Sequence, residues 1–282
     1  MRALVTGATG NAGREVVGAL RAAGVPLRAA VREPADEEGE AVAFDFRDPA
    51  TWRTAARGCD RLFLLRPPAI ADVKQTLNPF VDVAREEGID HVVFLSVAGA
   101  GDNRFIPHHA VEQHLAERSA AWTSLRVGFF AQNLQDAYLD DIRDRDRLYV
   151  PVDDGEAAFV DLRDVAEVVA EVLRDPRPHA ASAYHLTGRA ALSFDEVAAL
   201  LTEASGRAIA YEPASVLGYA RHVRRAGRPW GAAVVQTALH WLLRRGQGAA
   251  VDPTLEALLG RPPRTMRDYV FDHAHLWSTG PR

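Results

Sequence analysis

An α/β fold is predicted for this chain: a doubly wound parallel sheet with a smaller, mostly helical C-terminal module. Three observations predict it. Short, continuously apolar runs alternate with amphipathic segments through the first half, the rhythm of parallel strands joined by crossover helices. A glycine-rich loop, Gly7-Ala8-Thr9-Gly10-Asn11-Ala12-Gly13, sits between the first apolar run and the first amphipathic segment. Beyond Gly128 the alternation loosens into separately capped helical stretches.

The expected strands are Ala3–Thr6, Leu27–Val31, 41–44, Arg61–Leu65, 91–96 and 123–127. Most are apolar throughout rather than alternating, as strands covered on both faces must be. A helix is expected over 11–23, with Val16, Val17 and Leu20 at helical spacing and Gly24 as its stop. A second covers 73–87, with Leu77, Val81 and Ala84 on one face and Gly88 at its end. A third starts at Pro107, which suits a first helical position. In the second half, 161–174 reads as a helix with Asp161 as N-cap and Pro176 just past its end. Ser193-Phe194-Asp195-Glu196 has the capping-box form and opens a helix to Gly206. Gly227-Arg228-Pro229 separates two further helices, the second holding Val234, Ala238, Trp241 and Leu242. The tail after Asp272 is expected to be mobile in part. These elements group into a nucleotide-binding domain over 1–150, with 158–186 returning to it, and a mainly helical substrate-binding module over 187–282.

Composition narrows the function classes. The net charge of −5 leaves no basic stripe to displace counterions from nucleic acid. Clusters such as Arg221, Arg224, Arg225 and Arg244, Arg245 read as solvated helix faces. The single cysteine, Cys59, excludes an intrachain disulfide and suits a reducing compartment. No apolar run reaches the roughly 20 residues of a membrane span. The opening residues, MRALVTGATG, lack a signal-peptide pattern. A cytoplasmic protein without membrane or nucleic-acid partners is expected, as monomer or homodimer. No metal is expected either: His108, His109 and His114 cluster, but without H-E-x-x-H or cysteine partners. No G-x-S-x-G elbow supports a hydrolase.

The glycine loop carries the clearest chemistry. Gly7 allows the tight turn, Gly10 lets backbone approach a pyrophosphate, and Gly13 lets helix and strand lie close. A pyrophosphate would then rest on the helix N-terminus, whose free amides and dipole favour negative charge. Gly7, Thr9, Gly10, Asn11, Ala12 and Gly13 are therefore candidate dinucleotide contacts, and the fold is expected to be of Rossmann type. The second strand ends in Arg32 rather than an acid. Arginine there suits a 2′-phosphate, which favours NADP(H) over NAD(H); the alternative is an exposed Arg32 with Glu33 on the ribose. Asp45 could bond the adenine amino group or cap a turn. Phe46, Leu65, Arg66 and Ser96, at or just past later strand ends, complete the candidate cofactor contacts.

GATGNAG, the Val31-Arg32 tip and Phe94-Leu95-Ser96-Val97-Ala98-Gly99 together resemble the NmrA-like atypical short-chain dehydrogenases. So do Leu125-Arg126-Val127-Gly128-Phe129-Phe130-Ala131-Gln132-Asn133-Leu134 and Phe159-Val160-Asp161-Leu162-Arg163-Asp164-Val165-Ala166. The likeness continues through Tyr184-His185-Leu186-Thr187-Gly188, Leu192-Ser193-Phe194 and Leu259-Gly260-Arg261-Pro262-Pro263-Arg264. Within the group, the chain looks most like the triphenylmethane-reductase-like and type 2 quinone-oxidoreductase-like members. The resemblance implies a reductase, and also admits redox-sensing regulators that bind the dinucleotide without consuming it. A long exposed apolar surface or the lack of a substrate pocket would favour the regulator, and a closed pocket lined by Phe129, Asn133 and the helices after Leu217 would favour the enzyme. A third possibility is a tailoring enzyme for a polycyclic aromatic, with or without a redox step.

The sequence departs from the superfamily's Tyr-x-x-x-Lys pair. Its only lysine is Lys74, and no tyrosine lies between Ser96 and Thr123. By alignment His108 stands at the tyrosine position and Glu112 at the lysine position, a variation shared by quinone-reductase-like relatives. Four residues apart, they share a helix face and can hydrogen-bond. A carboxylate there would raise the His108 pKa and make it a proton donor, beside Ser96. The alternatives are a helix-steadying pair, or an acceptor such as a quinone that needs only placement over the nicotinamide. An apolar slot for a small aromatic substrate would then be formed by Phe129, Phe130, Asn133 and Tyr138.

Overall fold

The computed structural model describes residues 1–34, 40–118 and 121–278. Seven parallel strands form the main sheet: Ala3–Thr6, Leu27–Val31, Ala41–Ala43, Arg61–Leu65, His91–Val97, Trp122–Val127 and Ser182–Leu186. Numbered along the chain, they lie in the order third, second, first, fourth, fifth, sixth, seventh. The order reverses direction at the first strand, between its neighbours Leu27–Val31 and Arg61–Leu65. That switch point is where a doubly wound sheet opens a crevice at its carboxyl edge.

Side-chain alternation gives each face of the sheet its own core. Leu4, Leu62, Leu64, Val92 and Phe94 pack with Phe80, Val81 and Ala84 of the Leu77–Glu86 helix and with Val111 and Leu115 of the Pro107–Arg118 helix. Ala3, Val5, Phe63, Val93 and Leu95 alternate with them and are equally buried. The Leu162–Arg174 helix contacts the strands Arg61–Leu65 and His91–Val97 and packs along the Asn11–Ala22 helix. Burial on both sides is the reason these strands read as unbroken apolar runs.

The chain divides into two compact units, 1–127 with 162–186 and 128–161 with 187–282. The first break therefore falls at Val127, ahead of the boundary expected at 150, because the Arg147–Val150 strand pairs with Ala210–Pro213 and not with the main sheet. The return begins at Leu162 rather than 158. Residues 156–157 pair antiparallel with 192–193, inside the second unit.

In the second unit, Phe194–Ser205 is the expected capped helix. The Ser193 hydroxyl accepts the Glu196 amide and the Glu196 carboxylate accepts the Ser193 amide, and Gly206 ends the helix at φ +68°. Two expectations change here. The described part of the tail, 273–278, packs: Trp277 is fully buried and its indole N–H donates to the Val270 carbonyl at 2.8 Å, while 279–282 lie outside the described residues. The Trp230–Arg244 helix buries Ala233, Thr237, His240 and Leu243, leaving Val234 and Trp241 exposed. No helix among the described residues is long and apolar enough to cross a membrane.

Candidate active site

The glycine loop is shaped by contacts that only glycine permits. Gly7 has φ +65°, and a Cβ on it would come within 2.9 Å of the Leu65 side chain. The demand on Gly13 is stricter: a Cβ there would lie 2.0 Å from the Gly7 carbonyl oxygen. The loop is closed by the Gly10 amide donating to Gly7 O at 2.9 Å. The first intrahelical donor is Arg14, to Gly10 O. The amides of Asn11, Ala12 and Gly13 thus open the helix without intrahelical acceptors, an arrangement suited to a phosphate. Thr9 and Gly10 are exposed beside them. The cradle fits a pyrophosphate both sterically and electrostatically.

Arg32 is exposed at the tip of its strand and pairs with no carboxylate among the described residues, as does Glu33 with no base. The Asp45 carboxylate accepts the Arg47 amide at 2.8 Å and so caps a turn. Phe46 is buried in an aromatic cluster with Phe44 and Phe80, which leaves its backbone as the part able to meet a ligand. Leu65 packs on Gly7, and its amide donates to Thr6 Oγ1 at 2.9 Å.

Where a tyrosine and a lysine might have stood, a different network is built. Ser96 and Arg126 are direct partners across adjacent parallel strands, so their side chains share a face. Glu112 comes to them from the Pro107–Arg118 helix. Ser96 Oγ donates to Glu112 Oε1 at 2.5 Å. Arg126 reaches the same carboxylate through Nη2 at 2.7 Å and Nε at 3.2 Å. Ser96 and Glu112 are buried, and a Cβ on Gly101 would strike the Arg126 guanidinium at 2.6 Å. The hydrogen bond expected between Glu112 and His108 is thereby replaced.

His108 has a partner of the opposite kind. Arg66 Nε donates to His108 Nε2 at 3.3 Å, while the same guanidinium donates to the Pro67 and Ile70 carbonyls. An Nε2 that accepts places the ring proton on Nδ1, which is buried and has no hydrogen-bond partner among the described residues. Burial, and secondarily the Arg66 charge, push the His108 pKa down to about 3. The expected upward shift is reversed, because the carboxylate that would have caused it is held by Arg126. Near neutral pH His108 is an uncharged ring lying 5.7 Å from that of Phe94.

The expected substrate residues separate into core and surface. Tyr138 is core: it is buried, and its hydroxyl donates to His240 Nε2 at 2.5 Å. His240 Nδ1 in turn donates to the Gln236 carbonyl at 2.6 Å. Burial lifts the Tyr138 pKa well above its usual value and lowers that of His240 to about 4. Phe129 packs edge-on against Phe159 at 5.4 Å and against His240 at 6.1 Å. Phe130 and Asn133 are half-buried. Sequence reasoning passed over Arg126 and His240 as site residues. A charge inside the apolar strand Trp122–Val127 was the available signal for the first, and a histidine within an apolar helix for the second. Among the described residues, no three His, Cys, Asp or Glu side chains gather as metal ligands.

Comparison with known proteins identifies the family. Residues 1–222 match the model of the NmrA-like family. An NAD(P)H azoreductase of Xenophilus azovorans is 32% identical over 96% of this chain and 97% of its own length. The structure of an NADPH-dependent quinone oxidoreductase from Escherichia coli, complexed with NADPH, superposes with TM-score 0.84 at 25% identity, covering 98% of this chain and all of the other. A Citrobacter triphenylmethane reductase complexed with NADP(H) shares the fold, with TM-score 0.83 at 24% identity over 97% of this chain and all of the other. The chain belongs to the NmrA-like family, as an NAD(P)H-dependent oxidoreductase of the atypical short-chain dehydrogenase type.

Proposed function

We propose that the protein is an NADPH-dependent reductase of quinones or other electron-poor conjugated aromatics. The observation that carries this reading is the state of the proton-handling groups. Glu112 is locked by Ser96 and Arg126, and His108 is an uncharged ring with a pKa near 3. A simple ketone needs a proton donor tuned near the working pH as hydride arrives. A quinone or an extended conjugated system spreads the incoming charge and can take its proton later, so placement is sufficient. The names of the azoreductase and quinone-oxidoreductase relatives support acceptors of this kind.

The residues divide the work as follows. The amides of the Gly7–Gly13 loop hold a pyrophosphate on the helix dipole, and Arg32 supplies a fork for a 2′-phosphate. The dinucleotide, when bound, supplies the hydride. Ser96 and Arg126 keep Glu112 from presenting a free carboxylate to the hydride acceptor. The neutral His108 can donate a hydrogen bond through Nδ1 without giving up a full proton. Phe130 and Asn133 are the side chains proposed to contact the acceptor.

The test is NADPH oxidation with a panel of benzoquinones and naphthoquinones against simple ketones, using the wild type and Arg32→Ala. Quinones are expected to be reduced and ketones not. Arg32→Ala is expected to weaken NADPH binding about tenfold or more while leaving NADH binding unchanged, since a charge-assisted contact is worth about 1.5–3 kcal/mol. Ketone turnover at comparable rates would sink the acceptor assignment. Binding of NADPH with no acceptor reduced would leave a regulatory role without turnover as the surviving reading.

A further inference from the structure

The Trp230–Arg244 helix is apolar on the side where a surface helix is normally polar. Trp230 is 60% exposed, Val234 60%, Val235 58%, Leu239 49% and Trp241 39%. At 3.6 residues per turn these side chains, with Ala238 and Leu242, occupy one continuous half of the helix. Thr237 and His240 lie on the other half and are buried. The helix contacts Val216–Arg225, which adds Leu217, 67% exposed. Contiguous apolar surface of this kind on a folded protein marks an interaction site.

Charge identifies what the site fits. From Ala214 to Val251 the sequence has six arginines and no Asp or Glu, leaving 27 basic against 38 acidic residues in the rest of the chain. Arg228 and Arg244 pair with Asp136 and Asp153. Arg221, Arg224, Arg225 and Arg245 have no carboxylate partner among the described residues, although carboxylates are abundant elsewhere. Arg224 lies over the Trp230 ring, 5.1 Å from its centroid, and Arg245 over the Trp241 ring at 4.2 Å. Exposed tryptophans rimmed by uncompensated arginines are thus concentrated on one helix pair of an acidic protein.

We propose that this helix pair docks on an anionic phospholipid bilayer, lying in the interface and not crossing it. The apolar half would enter the headgroup–acyl boundary, the two tryptophans would sit at headgroup depth, and the arginines would meet lipid phosphates. A second copy of the chain fits less well. An isologous contact through this face would set the unpaired arginines of one copy beside those of the other. The sequence-based expectation of no membrane partner rested on the lack of a spanning segment, which says nothing of a surface contact.

The test is co-sedimentation of the full-length protein with phosphatidylcholine vesicles and with phosphatidylcholine–phosphatidylglycerol vesicles, following tryptophan emission. Binding to the anionic vesicles, a blue shift of the emission and release by salt are expected. The double variant Val234→Ser/Leu239→Ser should lose binding about tenfold or more with unchanged circular dichroism, because both side chains are exposed. Arg221→Gln/Arg225→Gln should lose the preference for anionic lipid. Failure to sediment with either vesicle, or equal binding to both, overturns the proposal. So does a homodimer in sedimentation velocity that Val234→Ser/Leu239→Ser dissociates, which would assign the face to a second copy.

Discussion

Arg126 stands one residue before the end of a strand that is otherwise apolar or hydroxylated, and its reason for being there is Glu112. Glu112 is buried and Arg126 partly so, and the desolvation of the carboxylate is offset only while the guanidinium is present. Arg126→Ala is therefore expected to destabilise the fold by about 3–5 kcal/mol by leaving an uncompensated buried carboxylate. The double variant Arg126→Ala/Glu112→Gln should recover part of that loss. Urea unfolding midpoints of the two variants check this, and equal midpoints would mean the pair is dispensable. At this scale sequence reasoning did best where sterics decide. Gly7 and Gly13 are glycines because no Cβ fits, and that demand is local to a dozen residues. It did worst at His108 and Glu112, whose four-residue spacing allowed a contact that Ser96 and Arg126 pre-empt from two adjacent strands.

At the scale of single elements, capping signals were legible because they are short-range. The Ser193 and Glu196 pair caps its helix reciprocally, and Gly206 closes the same helix in the left-handed region. Ser193→Ala is expected to cost about 1 kcal/mol, read as a lowered thermal midpoint with unchanged cofactor affinity. A midpoint within error of the wild type would show that packing of Phe194 and Val197 alone holds this terminus. Helix faces were less legible than helix ends. Val234, Ala238, Trp241 and Leu242 have the spacing of a buried stripe, yet the structure turns that stripe outward and buries Thr237 and His240. Periodicity finds an apolar face. What covers the face is decided by the rest of the fold, here by the Tyr138 hydroxyl that His240 accepts.

Across the whole molecule, three buried histidines tie stability to pH. Burial is the leading cause that lowers His91 to about 4, His108 to about 3 and His240 to about 4, from an ordinary 6.5. Well above pH 7 these rings are neutral whether the chain is folded or not, so they add no pH dependence there. As pH falls through about 6.5 the unfolded chain takes up protons that the folded chain refuses, and stability is lost down to about pH 4 for His91 and His240 and about pH 3 for His108. Each histidine should contribute a slope of up to about 1.4 kcal/mol per pH unit in that window. Urea unfolding at pH values across it should show the decline, and His240→Gln should remove one proton's share. An unaltered slope in that variant would mean that His240 is protonated in the folded chain.

The sequence by itself determined the parallel sheet, the glycine cradle, the arginine at the second strand tip and the helix caps. Each of these rests on contacts between residues close along the chain or on a periodicity that one face of one element must satisfy. Only the tertiary structure decided that Glu112 belongs to Arg126, that burial, with Arg66 beside it, keeps His108 neutral, that Tyr138 is core and that an apolar helix face meets solvent. Those outcomes depend on which distant side chain reaches a buried polar group first, and a buried donor or acceptor must take whatever partner the fold brings within about 3 Å.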